Sequence, residues 1–185
     1  MNIPNNLMRT ITIIITILYS IGGYSQTSTA DVTTNASAGI LIAMTISENS
    51  SMSFGSNLLT NNLGGTIVLP SNSTTRVYTN GVAESSISEP VTNASFDVTG
   101  TAYETYTLVV PETTTVTHTS ATNGVNTMDI TLMTARFEGE IEDTIISSLS
   151  EDGTDSFTMG GTLTVEPNQI SGQYEGSYSL SVDYN

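Results

Sequence analysis

One histidine and eighteen carboxylates are the side chains of this 185-residue chain with an obvious capacity for chemistry. A histidine can act as a general base. His118 sits in Thr117-His118-Thr119, within a polar run, and no G-x-S-x-G nucleophile elbow accompanies it. The run reads as an exposed strand with His118 as one of its residues. Paired carboxylates can cleave a glycosidic bond, but both mechanisms need a fixed separation that sequence spacing does not supply. Glu138, Glu140, Glu142 and Asp143 read instead as a solvated hairpin face. Glu151-Asp152-Gly153-Thr154-Asp155 gathers oxygen ligands around a glycine, as a hard cation would want. The EF-hand spacing with its terminal Glu is missing, and a β-turn is the simpler reading. The chain has no Cys, which removes disulfides, iron–sulfur clusters and thiolate zinc sites. It has no H-E-x-x-H, Walker or Rossmann pattern either. These residues point to a protein that is not an enzyme, with no metal and no cofactor.

The charge balance narrows the partners. The chain has three basic residues and a formal net charge of −15. Nucleic acids and anionic membranes need clustered Lys and Arg, so neither is expected as a partner. Only 11% of residues are charged, against roughly 25% in an average domain, which argues against charge-driven disorder. The acidic surface should aid solubility and discourage uncontrolled edge pairing, and salt or divalent cations should promote association by screening.

The N-terminus reads as a targeting segment. In residues 1–25 Arg9 is the only charge, and Ile11 to Ile21 is almost wholly apolar or Thr. That run is too short to cross a bilayer as a helix but suits a secretory signal, with cleavage expected before Gln26. Export across the inner membrane follows, to the periplasm, cell surface or exterior. No later segment is long and apolar enough for stable membrane insertion.

The remainder carries the signature of strands. Thr, Ser, Val, Ile and Tyr dominate, and period-2 alternation recurs. Ala30, Val32, Thr34, Ala36, Ala38, Ile40, Ile42, Met44 and Ile46 share one side of an extended chain. Further stripes are Phe96 and Val98, then Tyr106, Leu108 and Val110, then Met128, Ile130 and Leu132, then Phe157, Met159, Leu163 and Val165. The cleanest is the last: Tyr174, Gly176, Tyr178, Leu180, Val182 and Tyr184. Asn80-Gly81, Asn123-Gly124 and Glu151-Asp152-Gly153 supply turns between them. Short strands with one apolar face each imply two packed sheets, an all-β antiparallel β-sandwich over residues 37–185. A domain of about 160 residues buries roughly 68–70% of its unfolded surface, so one core suffices. Residues 26–36 read as a mobile N-terminal arm.

Several stretches, in order, resemble a bacterial secreted family known as domain of unknown function 4402. They run from Ala38-Gly39-Ile40 and Met44-Thr45-Ile46-Ser47 through Gly64-Gly65-Thr66-Ile67-Val68-Leu69 and Ala94-Ser95-Phe96-Asp97-Val98-Thr99-Gly100. Gly160-Gly161-Thr162-Leu163-Thr164-Val165 and Gly172-Gln173-Tyr174-Glu175-Gly176 follow, up to Val182-Asp183-Tyr184-Asn185. The resemblance implies a β-sandwich and no established activity.

The terminus is also similar to the last strand of chaperone–usher pilus subunits, with Tyr184 penultimate and Gly172 at the family's upstream glycine position. That resemblance implies an immunoglobulin-like, pilin-like sandwich with an open groove. It further implies strand addition, first from a periplasmic chaperone and then from copies of the same chain. Gly172, Tyr174, Tyr178, Leu180, Val182 and Tyr184 would be the strand-pairing residues, and Ala30, Val32, Thr34 and Ala36 the donor arm. The alternation fits equally well an interior strand of a complete sandwich. The leading expectation is a structural subunit of a fimbria-like or coat-like surface assembly. The alternative is an adhesive or carbohydrate-binding module that stacks sugars on Tyr78 or Tyr103, and the weakest reading is a carboxylate-pair hydrolase.

Overall fold

The structure is a computed structural model that describes residues 31–61, 63–86 and 90–185. The expected signal segment, Ala30 and the rest of the arm before Asp31 lie outside the described residues. The chain divides into two units, residues 1–39 and 40–185. In the first, residues 31–39 are exposed and have no regular secondary structure.

The second unit is all-β, with no helix among the described residues. Its strands are β1 (Thr45–Ser50), β2 (Leu59–Thr60), β3 (Gly65–Leu69), β4 (Val77–Tyr78), β5 (Val82–Ala83), β6 (Ala94–Thr99) and β7 (Thr105–Val109). They continue with β8 (Thr113–His118), β9 (Thr127–Phe137), β10 (Ile146–Ser148), β11 (Thr154–Val165), β12 (Tyr174–Glu175) and β13 (Ser181–Tyr184). Eight strands form one sheet along the order β1-β6-β11-β9-β8-β12, with β3 on β11 and β4 on β3. A three-stranded sheet, β10-β7-β13, and a β2-β5 pair complete the sandwich. Every strand pair is antiparallel. Of the described members of the long stripe through residues 30–46, only Ile46 enters a strand, and Ile40 and Ile42 remain exposed.

The long strand β11 organises the whole. It pairs with β9 along one edge. On its other edge it pairs with β6 through Thr154–Met159 and with β3 through Gly161–Val165. Phe157, Met159, Leu163 and Val165 all turn inward, as their alternation predicts. The first two join a core with Phe96 and Val98 of β6, Tyr106 and Leu108 of β7, and Phe137 of β9. The last two join a second core with Ile67 and Leu69 of β3 and Ile130 of β9.

Strand β9 breaks its own alternation. Leu132, placed by pattern with Met128 and Ile130, is 74% exposed at φ +48°. The register explains it: Thr162 pairs Thr131 while Gly160 pairs Thr134, so β9 carries an extra residue there. This bulge inverts the phase, and Met133, Ala135 and Phe137 then continue the inward face.

Two polar ties were not evident from the pattern. Asp155 accepts from the buried Tyr106 hydroxyl at 2.9 Å and from Ser147 Oγ at 2.6 Å, linking the large sheet to the small one. Arg76, with a side chain only 2% exposed, bonds Phe54 O and Glu84 Oε1 and lies over the Tyr78 ring at 5.4 Å.

Candidate functional site

The C-terminal tail is two strands rather than one. Strand β12 pairs with β8, Tyr174 opposite His118. Strand β13 pairs with β7, Val182 opposite Leu108 and Tyr184 opposite Tyr106. The cause lies in the partner chain segment. Between β7 and β8 the chain passes from the small sheet to the large one at Pro111. Proline has no N–H to donate, so a ladder ends there. The tail follows the same corner. At its start a Cβ on Gly176 would lie 2.6 Å from Thr115 O, so glycine allows the close passage.

Residues 176–180 consequently form no backbone hydrogen bond among the described residues. Facing them is β1, an edge strand whose one partner among the described residues is β6. Between the two lies a groove of about 420 Å³, with Ile46, Met52, Phe96, Tyr178 and Leu180 as its apolar lining. Glu48 is on its wall. The Tyr178 hydroxyl is buried without a hydrogen-bond partner. Burial, then the Glu48 charge, pushes its pKa up to about 12. At the other end the seam is closed. Tyr184 Oη donates to Ile42 O and accepts from Thr101 N, both at 2.7 Å, and Asn185 N reaches Thr105 O. The groove thus joins unpaired main chain on two walls to an apolar lining, the requirements for holding an extended strand.

The strand-pairing residues expected from sequence are divided between different settings. Tyr174, Val182 and Tyr184 lie in strands, Tyr178 and Leu180 line the groove, and Gly172 precedes β12 against the His118 ring. Of the donor arm, Val32, Thr34 and Ala36 are exposed and Ala30 is outside the described residues. On the β1 side of the groove, Ile46 belonged to an apolar stripe but was not matched to the tail, and Met52 belonged to no stripe, because alternation names a face and not the edge opposite.

The family described as "Domain of unknown function (DUF4402)" matches residues 44–184. The chain belongs to this family. Its matched stretch begins just before β1 and ends at the last residue of β13, so both walls of the groove lie within the DUF4402 domain. The exposed residues 31–43 precede it. No curated protein matches the chain.

The remaining chemical candidates are spread over the DUF4402 domain. Among the described residues, no group of three or more His, Asp or Glu is placed to hold a metal ion. Glu151 and Asp152 are exposed in a turn with Gly153 at φ +71°, while Asp155 turns away to Tyr106. His118 is not simply an exposed strand residue: it is partly buried and its Nδ1 accepts two backbone N–H groups. Tyr78 lies under Arg76 and its hydroxyl is buried, whereas Tyr103 is 70% exposed.

Glu138, Glu140 and Glu142 are exposed around the β9–β10 turn, but Asp143 is held. Ser71 Oγ donates to it at 2.6 Å, and Arg136 bonds it at 2.8 Å. Burial raises its pKa, but hydrogen bonds from Ser71, Thr134 and Arg136, with the Arg136 charge, outweigh that and hold it below the ordinary range. A lowered native pKa contributes stability above the unfolded pKa, and that stability is lost as pH falls through the native one. Acid below about pH 4 should therefore lower the melting temperature partly through Asp143. Asp143→Asn should be less stable near neutrality and show a shallower acid limb in thermal melts followed across pH.

Proposed function

We propose that this chain is an exported, non-enzymatic structural subunit of a fimbria-like or coat-like assembly at the cell surface, joined to its neighbours by strand addition. The observation that carries the reading is the open seam: among the described residues, a β1 edge without a second partner strand, residues 176–180 without backbone hydrogen bonds, and an apolar groove between them. A strand entering it would satisfy main chain on both sides and cover apolar surface, worth about 25 cal/mol per Å². The donor we assign is the arm of another copy, with Ala30, Val32, Thr34 and Ala36 on one side. From Val32 to Ser47 the sequence carries no charge, which suits entry beside Glu48. Val32 and Ile40 are 84% and 92% exposed, apolar side chains available for burial elsewhere. A periplasmic chaperone would cover the seam until the neighbour arrives.

The test uses the absence of native Cys. Ser177→Cys and Ala36→Cys are made in separate mature chains, mixed and oxidised. Disulfide-linked heterodimers are expected, together with oligomers in light scattering that grow with concentration. Chains that stay monomeric and form no mixed disulfide would remove the proposal. The alternative, an adhesive carbohydrate-binding module, has one observation in its favour. A depression of about 550 Å³ beside the large sheet has Asn72, Asp97, Arg136, Ser156 and Thr158 among its lining residues. Glycan binding lost on Asp97→Ala, with assembly absent, would favour it.

A further inference from the structure

Glu48 occupies a position on β1 where a carboxylate is out of place. Paired residues on neighbouring strands project to the same side of a sheet. Ile46 pairs with Val98 and Glu48 with Phe96, and both partners belong to the core. Glu48 therefore takes an inward-facing position, in phase with Ile46, while Thr45 and Ser47 face out. It is nonetheless exposed, because the space in front of it is the groove rather than packed protein. The ladder also slips just after it: Ser50 lies opposite Ser95, so Asn49 is the extra residue of a bulge. An inward-pointing charge and a bulge are both devices by which an edge strand resists indiscriminate pairing.

No cation of the described residues offsets this charge. Glu48 is the one charged residue among those lining the groove. Arg76 and Arg136 are engaged elsewhere, the first with Glu84 and the second with Asp143. The chain has no lysine. A strand that laid an apolar side chain over the carboxylate would strip its water and return nothing, and burying an unpaired ion is costly. A side chain with a proton to donate would replace that water with a hydrogen bond.

The arm carries such a residue in the right phase. Val32, Thr34, Ala36, Ala38 and Ile40 share one side of an extended strand, and of these only Thr34 has a proton donor. Asp31, the one charge between residues 26 and 47, falls on the opposite side.

We propose that Glu48 is the specificity-determining residue of the seam: it turns away strands that are apolar at the position facing it, and it admits the arm of another copy in the register that sets Thr34 against it. This role rests on the strand-addition reading above. In that register Thr34 Oγ1 donates to the Glu48 carboxylate, and Val32 and Ala36, two residues to either side, meet the apolar lining. A shift of two residues would set Val32 or Ala36 over the carboxylate. A shift of one would turn Thr33, Asn35 and Ser37 into the apolar lining. Neither combines the hydrogen bond with apolar burial.

Fluorophore-labelled peptides with the sequence of residues 30–41, native and Thr34→Val, are titrated with the full mature chain and followed by fluorescence anisotropy. The substitution sits in the peptide, so the fold of the receiving chain is untouched. Against the native chain, the Thr34→Val peptide should bind about tenfold more weakly, the loss of one hydrogen bond to a charged group. Against Glu48→Leu the preference should vanish or invert, with the Thr34→Val peptide binding at least as tightly as the native one. An unchanged preference for Thr34 in Glu48→Leu, or equal binding of the two peptides by the native chain, would overturn the role of Glu48 and leave strand addition standing. Failure of both peptides to bind either chain would remove strand addition together with the selection built on it.

Discussion

Gly160→Val is expected to destabilise the fold by about 3 kcal/mol or more, beyond the usual cost of overpacking a core. Gly160 lies where β11 changes partner from β6 to β3. A Cβ at this position would lie 2.0 Å from Leu69 O, 2.6 Å from the Pro70 carbonyl carbon and 2.7 Å from Ser71 N. All three are main-chain atoms, so no side chain can swing aside to relieve the overlap. Asn93 fixes the same crossing, donating from Nδ2 to Pro70 O and Met159 O. The neighbouring Gly161 is the control. Its nearest atoms are Ile130 Cγ2 and Met133 Cγ, both at 3.1 Å and both on side chains able to shift. Gly161→Ala should cost about 1 kcal/mol. Urea denaturation followed by circular dichroism would separate the two. If Gly160→Val unfolded within about 1 kcal/mol of the native chain, the close crossing of β3 over β11 would be wrong.

The same crossing shows what a strand pattern can and cannot reveal. Phe157, Met159, Leu163 and Val165 announce an inward face, and the glycine pair between them announces a change in the strand. The pattern does not announce which main chain comes so near. Leu132 misleads because alternation assumes one residue per step on each strand, and a bulge spends one more. The tail misleads for a different reason. Tyr174 to Tyr184 alternates without interruption, yet its pairing is decided by Pro111, far away in sequence. The groove was legible on one wall, through Tyr178 and Leu180. Its other wall depends on β1 facing the tail across the sandwich, and period two contains no information about neighbours. Arg76 and His118 lie in polar stretches whose composition suggests exposure. Each owes its role to acceptors or donors on distant main chain, Phe54 O for the first and Ser171 O for the second.

Phe157→Ala should cost about 3–5 kcal/mol, the range for removing a buried aromatic side chain and leaving its cavity. Phe157 is 2% exposed and occupies the middle of an aromatic chain that crosses between sheets. It stacks on Phe96 with centroids 5.1 Å apart and tilts against Phe137 at the same distance. Phe137 in turn meets Tyr106 of the small sheet edge-on at 5.9 Å. Truncation removes two ring contacts and lets Phe96 and Phe137 move, but neither can fill the gap while its own strand stays paired with β11. Phe96→Ala should cost less, because Phe96 is 7% exposed and lies on the open groove, where water can reach the site. The order of the two variants in urea denaturation is therefore informative about the seam itself. Phe157 more costly than Phe96 is the order expected of a groove that is open in the isolated chain. A neighbour's strand seated in it should then raise the cost of Phe96→Ala towards that of Phe157→Ala, since burial in the assembly restores the contacts that the lone subunit lacks. Equal costs in the monomer would instead describe a sandwich already closed on that side, and would leave strand addition without a place to act.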